Sequence, residues 1–212
     1  MIFLIVSQAS VSKDLYIANN YVHDNVMGVG MYHANMAGTA PNSSPYDNWV
    51  FENNRIYNNN RENNAPEGSF QSYLPSGVGI IMIGIRGQTV RNNIVEANHV
   101  AGLTMAGFCS VQGFFFQVDC EGPNAPIDGD PSANDNIIIN NLFNQNGGNG
   151  LPDLGLPGKD IIYIQSSDEF LQQSNENCFK NNTSLDGKEA SSFATDYVSQ
   201  FISLPNGGCA TN

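Results

Sequence analysis

Positive charge is what this 212-residue chain has least of: Lys and Arg number 8 against 20 Asp and Glu, a net charge of −12. A surface this acidic excludes nucleic acid as a partner, because phosphate backbones reward basic patches. Anionic membranes repel it too. No apolar run is long enough to span a bilayer, which excludes membrane insertion by a helix. The opening Met1-Ile2-Phe3-Leu4-Ile5-Val6 lacks a basic start and is too short for a signal peptide. The four cysteines, Cys109, Cys120, Cys178 and Cys209, show neither C-x-x-C nor a metal-binding spacing with histidine. An even number in a loop-rich acidic chain suggests export and disulfides, a reduced cytosolic set being the alternative. What the chain does have is 41% apolar residues, enough for one sizeable domain.

It also has a repeat. Ile17-Ala18-Asn19-Asn20-Tyr21-Val22-His23-Asp24-Asn25 returns around the pairs Asn53-Asn54, Asn92-Asn93, Asn140-Asn141 and Asn181-Asn182. The copies start 34, 39, 48 and 41 residues apart (19 to 53, 53 to 92, 92 to 140, 140 to 181). An apolar residue stands two before each pair, and a further Asn stands six after its first member, replaced by Gly187 only in the last copy. A fixed core at unequal spacing is what a solenoid gives when loops are inserted between constant strands. Fixed apolar offsets also argue against a disordered Asn-rich tract. Paired asparagines suit a tight bend between short strands, since Asn tolerates left-handed backbone angles and its amide bonds to nearby backbone. Coils stacked about 4.8 Å apart let equivalent amides bond to one another as a ladder. The expected ladder is the first Asn of each pair: Asn19, Asn53, Asn92, Asn140 and Asn181.

Each coil then holds three strands, one before the pair, one after it, and one rich in Gly and aliphatics, as at Gly28–His33, Gly77–Ile83, Ala101–Met105 and Asp160–Ile164. Alternation places Val29, Met31, Val78, Ile80, Leu103 and Met105 inward, and Gly30, Tyr32, Gly79, Ile81, Gly102 and Thr104 toward solvent. Long loops lie at 35–47, 61–76, 107–135 and 147–159. The tail carries Phe193, Tyr197, Phe201 and Ile202 at helix spacing, and an open solenoid end needs a cap. The expected architecture is all-β: a right-handed parallel β-helix of about five coils over residues 1–187, with a C-terminal capping tail over 188–212.

This pattern, "V-x-N-N-x-I-x-x-N" followed by "G-V-G-I", resembles the bacterial parallel β-helix repeat proteins of the pectin-lyase-like superfamily, over about residues 11 to 187. The resemblance speaks to fold more than function, because that fold hosts lyases, epimerases, hydrolases and binding proteins. It implies export to the periplasm, cell surface or medium. Members carry earlier coils, so a chain opening inside a strand is expected to continue N-terminally into further coils. The resemblance also implies a site along the outer face of the Gly-rich sheet, where Tyr32, His33 and Arg86 are the catalytic candidates for lyase or C5-epimerase chemistry on uronates. The bland reading is an exposed Tyr, a strand-end His and a solvated Arg, with no paired carboxylate to support a site.

The remaining candidates are loop residues. Phe114, Phe115 and Phe116 are candidates for stacking on sugar rings or for folding the loop onto the barrel. Asp128 and Asp130 begin like a calcium loop, but Ala133 and Ile139 stand where Gly and Glu are needed, so no cofactor is expected unless calcium binds there. His23 and His99 read as turn residues. The expected disulfides are Cys109–Cys120 and Cys178–Cys209. The functional expectation is a non-catalytic surface or polysaccharide-binding domain with a glycan or a cell-surface protein as partner. A polysaccharide lyase or uronate C5-epimerase is the alternative.

Overall fold

The computed structural model describes residues 4–5, 14–32, 48–107, 110, 133–151, 155–164, 177–195, 201–204 and 209. His33, Cys109, Phe114, Phe115, Phe116, Cys120, Asp128 and Asp130 lie outside them. The described chain is nearly all β, with a short 3-10 turn at Phe70–Tyr73. A first sheet is built from β1 (Leu4–Ile5), β4 (Val29–Tyr32), β7 (Val78–Ile83), β10 (Ala101–Ala106), β13 (Lys159–Ile164), β16 (Ser192–Thr195) and β17 (Phe201–Ile202), in that order. The strands preceding the Asn pairs form a second sheet: β2 (Tyr16–Ala18), β5 (Val50–Glu52), β8 (Thr89–Arg91), β11 (Ile137–Ile139) and β14 (Cys178–Lys180). Those following the pairs form a third: β3 (Tyr21–His23), β6 (Arg55–Tyr57), β9 (Ile94–Glu96), β12 (Leu142–Asn144) and β15 (Thr183–Ser184). Every pairing is parallel except β16 with β17. Three stacked sheets visited in rotation are a parallel β-helix.

Register explains the core. Equivalent side chains of successive coils stack in columns: Phe51, Val90, Ile138 and Phe179 in the second sheet, and Val22, Ile56, Val95 and Phe143 in the third. They meet Val29, Ile80, Leu103 and Ile161 from the first sheet in one buried cluster. Each such side chain contributes about 1.5–3 kcal/mol by leaving water.

Buried amides hold the corners. The ladder runs through the second Asn of each pair, not the first. The backbone N–H and Nδ2 of Asn54 donate to Asn93 Oδ1 at 2.9 and 3.1 Å, those of Asn93 to Asn141 Oδ1 at 3.0 Å each, and those of Asn141 to Asn182 Oδ1 at 3.2 and 3.0 Å. Asn20 donates to Asn54 Oδ1 in the same way. The expected ladder residues Asn19, Asn53, Asn92, Asn140 and Asn181 are all exposed. Their φ angles lie between 55° and 61°, the left-handed region, which turns the chain so that the next residue points inward. Two further ladders occupy the other corners. Asn25, Asn59, Asn98 and Asn146 form one, the asparagines six residues after the start of each pair. Gln88, Asn136 and Asn177 form the other.

The Asn25 ladder ends where the sequence substitutes Gly187. Asn146 Nδ2 donates instead to Asp160 Oδ1 at 3.1 Å, and Asp160 Oδ2 accepts from the Ser191 N–H and hydroxyl at 3.0 and 2.8 Å. Asp160 lies in register between the pairs Ala101–Lys159 and Leu103–Ile161, beside Gly102. That column is Gly in the earlier coils because there is no room for a side chain. A β-carbon on Gly79 would come within 2.6 Å of the Gly102 carbonyl oxygen, and one on Gly102 within 2.6 Å of the Phe143 ring. Gly79 and Gly102 therefore face the interior corner, correcting the expectation that they face solvent.

The tail also departs from expectation. Phe193 sits in β16, which extends the first sheet by a rung, and Phe201 and Ile202 form β17. A four-residue spacing fits both a helix and one face of a strand, and the exposed edge of β13 selected the strand. The antiparallel β17 ends the sheet. The expected Cys178–Cys209 disulfide ties residue 209 to β14 across a separation of 31 residues, worth about 3–4 kcal/mol through restriction of the unfolded chain.

Candidate functional site

The outer face of the first sheet, where the sequence placed an exposed chargeless strip, is buried. Tyr32 is 1% exposed, Ile81 2% and Thr104 4%. Tyr32 and Ile81 belong to a second apolar layer joined by Leu74 and Leu156 from the inserted loops, together with Ile83, Ile162 and Phe193. Tyr32 folds back over Gly30, and its hydroxyl donates to Met27 Sδ at 3.3 Å. Burial pushes its pKa well above the usual tyrosine value. A phenol held neutral under a covering layer is badly placed to exchange protons with a polysaccharide. Arg86 lies in the turn after β7, half-buried, and its carbonyl accepts from Gln88 Nε2. Among the described residues no group of three or more His, Cys, Asp or Glu is arranged to hold a metal ion.

The open faces are the second and third sheets, on either side of the corner made by the Asn pairs. In the strand after each pair, the alternation sends Val22, Ile56 and Val95 inward and their neighbours outward. Register then builds outer columns. Tyr21 stacks over Arg55 and Ile94, and His23 over Tyr57 and Glu96. The His23 and Tyr57 rings are stacked with centroids 4.7 Å apart, the rise of one coil. The Arg55 guanidinium lies 5.1 Å from the centre of the Tyr57 ring, and its Nε donates to Glu96 at 2.7 Å. Glu96 in turn raises the Arg55 pKa. On the second sheet Arg91 donates to Glu52 at 2.7 Å and Tyr16 to the same carboxylate at 3.3 Å. The Arg91 hydrogen bond leads in lowering the Glu52 pKa. Tyr16 and Tyr21, 63% and 68% exposed, flank the first corner from its two sides.

Between these faces runs the column Asn19, Asn53, Asn92, Asn140 and Asn181, its amides at the surface. Asn181 donates to Asn140 Oδ1 at 3.1 Å and Asn53 to Glu52 at 3.4 Å. The assembly offers amide donors and acceptors, exposed aromatic rings and charge-compensated ion pairs on one continuous surface. The sequence reading missed this surface, although the signal was present. The second and fourth residues after the first Asn of each pair face outward, and in the first two copies they are Tyr, His, Arg and Tyr. His23, read as a turn residue, is the last residue of β3 and part of that surface.

Comparison with known proteins finds no family model, no curated protein and no solved structure that matches this chain.

Proposed function

We propose that this chain is an exported, non-catalytic β-helix domain of pectin-lyase-like type that binds polysaccharide at the cell surface. The observation that carries the reading is the buried outer face of the first sheet. Enzymes built on this kind of solenoid need that face open to a polymer, and here Tyr32, Ile81 and Thr104 are buried, the first two within a second apolar layer. Charge supports the same conclusion. A polyuronate brings one negative charge per sugar, and proton removal beside its carboxylate adds more, so catalysis requires clustered cations or a metal at the developing charge. Arg55 and Arg91 are committed to Glu96 and Glu52, and a net charge of −12 repels a polyanion. The Cys178–Cys209 disulfide fits an oxidising compartment, and no helix among the described residues is long and apolar enough to cross a membrane.

The test is an assay of the purified chain on pectate and alginate, with and without calcium, following unsaturated-product absorbance and proton exchange. No turnover is expected, together with retardation of the chain in native gels containing polysaccharide. Turnover that His33→Ala or Arg86→Ala abolishes would establish the lyase or epimerase alternative instead.

A further inference from the structure

We propose that the exposed column Asn19, Asn53, Asn92, Asn140 and Asn181 is a binding surface for an extended, uncharged polysaccharide lying along the solenoid axis. The inference rests on the glycan-binding reading above and assigns its surface and ligand class.

The molecule contains its own control for why these residues are asparagine. All three corners place a left-handed residue immediately before the residue that turns into the stack. At the corner before the second sheet those residues are Asp14, Asn48, Gly87 and Asp135, with φ of 57°, 59°, 71° and 57°. At the corner after the third sheet they are Asp24, Asn58, Ala97 and Gln145, with φ of 57°, 54°, 54° and 52°. The same conformation therefore accepts Asp, Gly, Gln and even Ala in this protein. Only at the middle corner is it Asn in every coil. Backbone geometry does not account for that uniformity, because the three corners share it.

Inter-coil bonding does not account for it either. The amide–amide bond from Asn181 to Asn140 and the contacts of Asn53 and Asn92 with Glu52 use a minority of the donors and acceptors five amides carry. The rest face solvent at a regular spacing, 4.7 Å between stacked rings of adjacent coils. One pyranose of an extended chain advances by a comparable distance, so neighbouring sugars fall beside neighbouring amides. A side-chain amide both donates and accepts, which matches a sugar hydroxyl. Tyr21 and Tyr16 add apolar ring surface beside Asn19 for the C–H face of a sugar.

Charge selects the class of glycan. Arg55 and Arg91, the cations flanking the column in its second and third coils, are ion-paired with Glu96 and Glu52. Such a surface gives an acidic polymer no excess of cations, while the whole chain repels it. A neutral polysaccharide meets no such barrier.

The experiment compares the wild-type chain with Asn53→Gly/Asn92→Gly/Asn140→Gly and with Tyr21→Ala, by affinity electrophoresis through galactomannan, xyloglucan, mixed-linkage β-glucan and polygalacturonate. Glycine already occupies the equivalent left-handed position at residue 87, so the triple variant should keep its thermal midpoint. The wild type is expected to be retarded by at least one neutral polymer and not by polygalacturonate. The triple variant should lose about tenfold or more in affinity, as three hydrogen-bonding groups are removed, and Tyr21→Ala should lose a smaller factor. Equal binding by wild type and both variants would overturn the surface assignment and leave the glycan-binding reading standing. Retardation only by polygalacturonate would overturn the ligand class. Failure of the wild type on every polymer would bring down the functional reading along with the inference.

Discussion

At the middle corner of each coil two adjacent asparagines meet opposite fates. Asn93 is 1% exposed and Asn92 stands in solvent, yet they have the same side chain and neighbouring positions in the chain. The difference is one backbone angle. The φ of 55° at Asn92 reverses the chain direction and aims Asn93 into the stack. Once inside, an amide must find partners or incur the full desolvation penalty. The stack supplies them, because the coil on each side offers an identical group. Outside, water satisfies the amide and the position is open to other uses. The comparison separates what the fold needs from what the surface can spare.

Its largest test is the inner residue. Asn93 Nδ2 donates to the Phe51 carbonyl at 2.9 Å and to Asn141 Oδ1, while its own Oδ1 accepts both the N–H and Nδ2 of Asn54. Asn93→Ala leaves the buried Asn54 N–H and the buried Phe51 carbonyl without these bonds. Two to three unmet groups put the expected loss at roughly 3–5 kcal/mol, read as a fall in the urea midpoint. A loss within ordinary surface scatter would show that the amide column is incidental to stability.

The end of the second ladder gives a smaller effect. Asp160 replaces the missing asparagine partner of Asn146 and holds Ser191 at the start of the last rung. Asp160→Ala removes that acceptor, but Asn146 Nδ2 keeps its bond to the Val95 carbonyl at 2.8 Å. The expected cost is about 2–3 kcal/mol, with hydrogen exchange accelerated first in β16. Uniform acceleration across all coils would mean that Asp160 is not a local cap.

Much of this fold was legible in the residues themselves. Apolar side chains at fixed offsets from each Asn pair gave the coils, and the sheets, their parallel pairing and the Cys178–Cys209 bond follow that reading. The face of each asparagine was not legible from alternation alone. Counting by twos from Phe51, which points inward, sends Asn53 inward and Asn54 outward. A left-handed residue breaks the count, and the inward set becomes Phe51, Asn54 and Ile56. The Gly-rich strands failed for a related reason. Val78 lies in the outer layer and Ile80 in the core, with Gly79 between them turned toward Val95 and Asn98. The buried outer layer of the first sheet was hidden from a strand-by-strand reading. Its covering residues, Leu74 and Leu156, sit in loops whose sequences carry no periodic signal. That hidden layer moved the candidate site from the first sheet to the corner between the other two.

The smallest effect sharpens the comparison most, because it concerns the neighbour of Asn93. Asn92→Ala removes an exposed amide beside Glu52 and places alanine at a φ of 55°. The amide itself contributes little, since water takes over its bonds. The strain is bounded by the molecule's own precedent, as Ala97 adopts a φ of 54° one corner further along the same coil. Its N–H donates to the Asn144 carbonyl at 2.9 Å, as the Asn92 N–H does to the Ile139 carbonyl at 3.3 Å. Replacing Asn with Ala in this region costs under about 1 kcal/mol, because Asn only modestly prefers it. Asn92→Gly, which relieves the φ constraint, should be closer still to the wild type. The two variants and Asn93→Ala should be compared in one urea series, with slopes checked for a common two-state transition. Loss at residue 92 rivalling that at residue 93 would mean that the exposed column carries the fold as well. Such a result would leave no stability-neutral surface for selection to have shaped into a binding site.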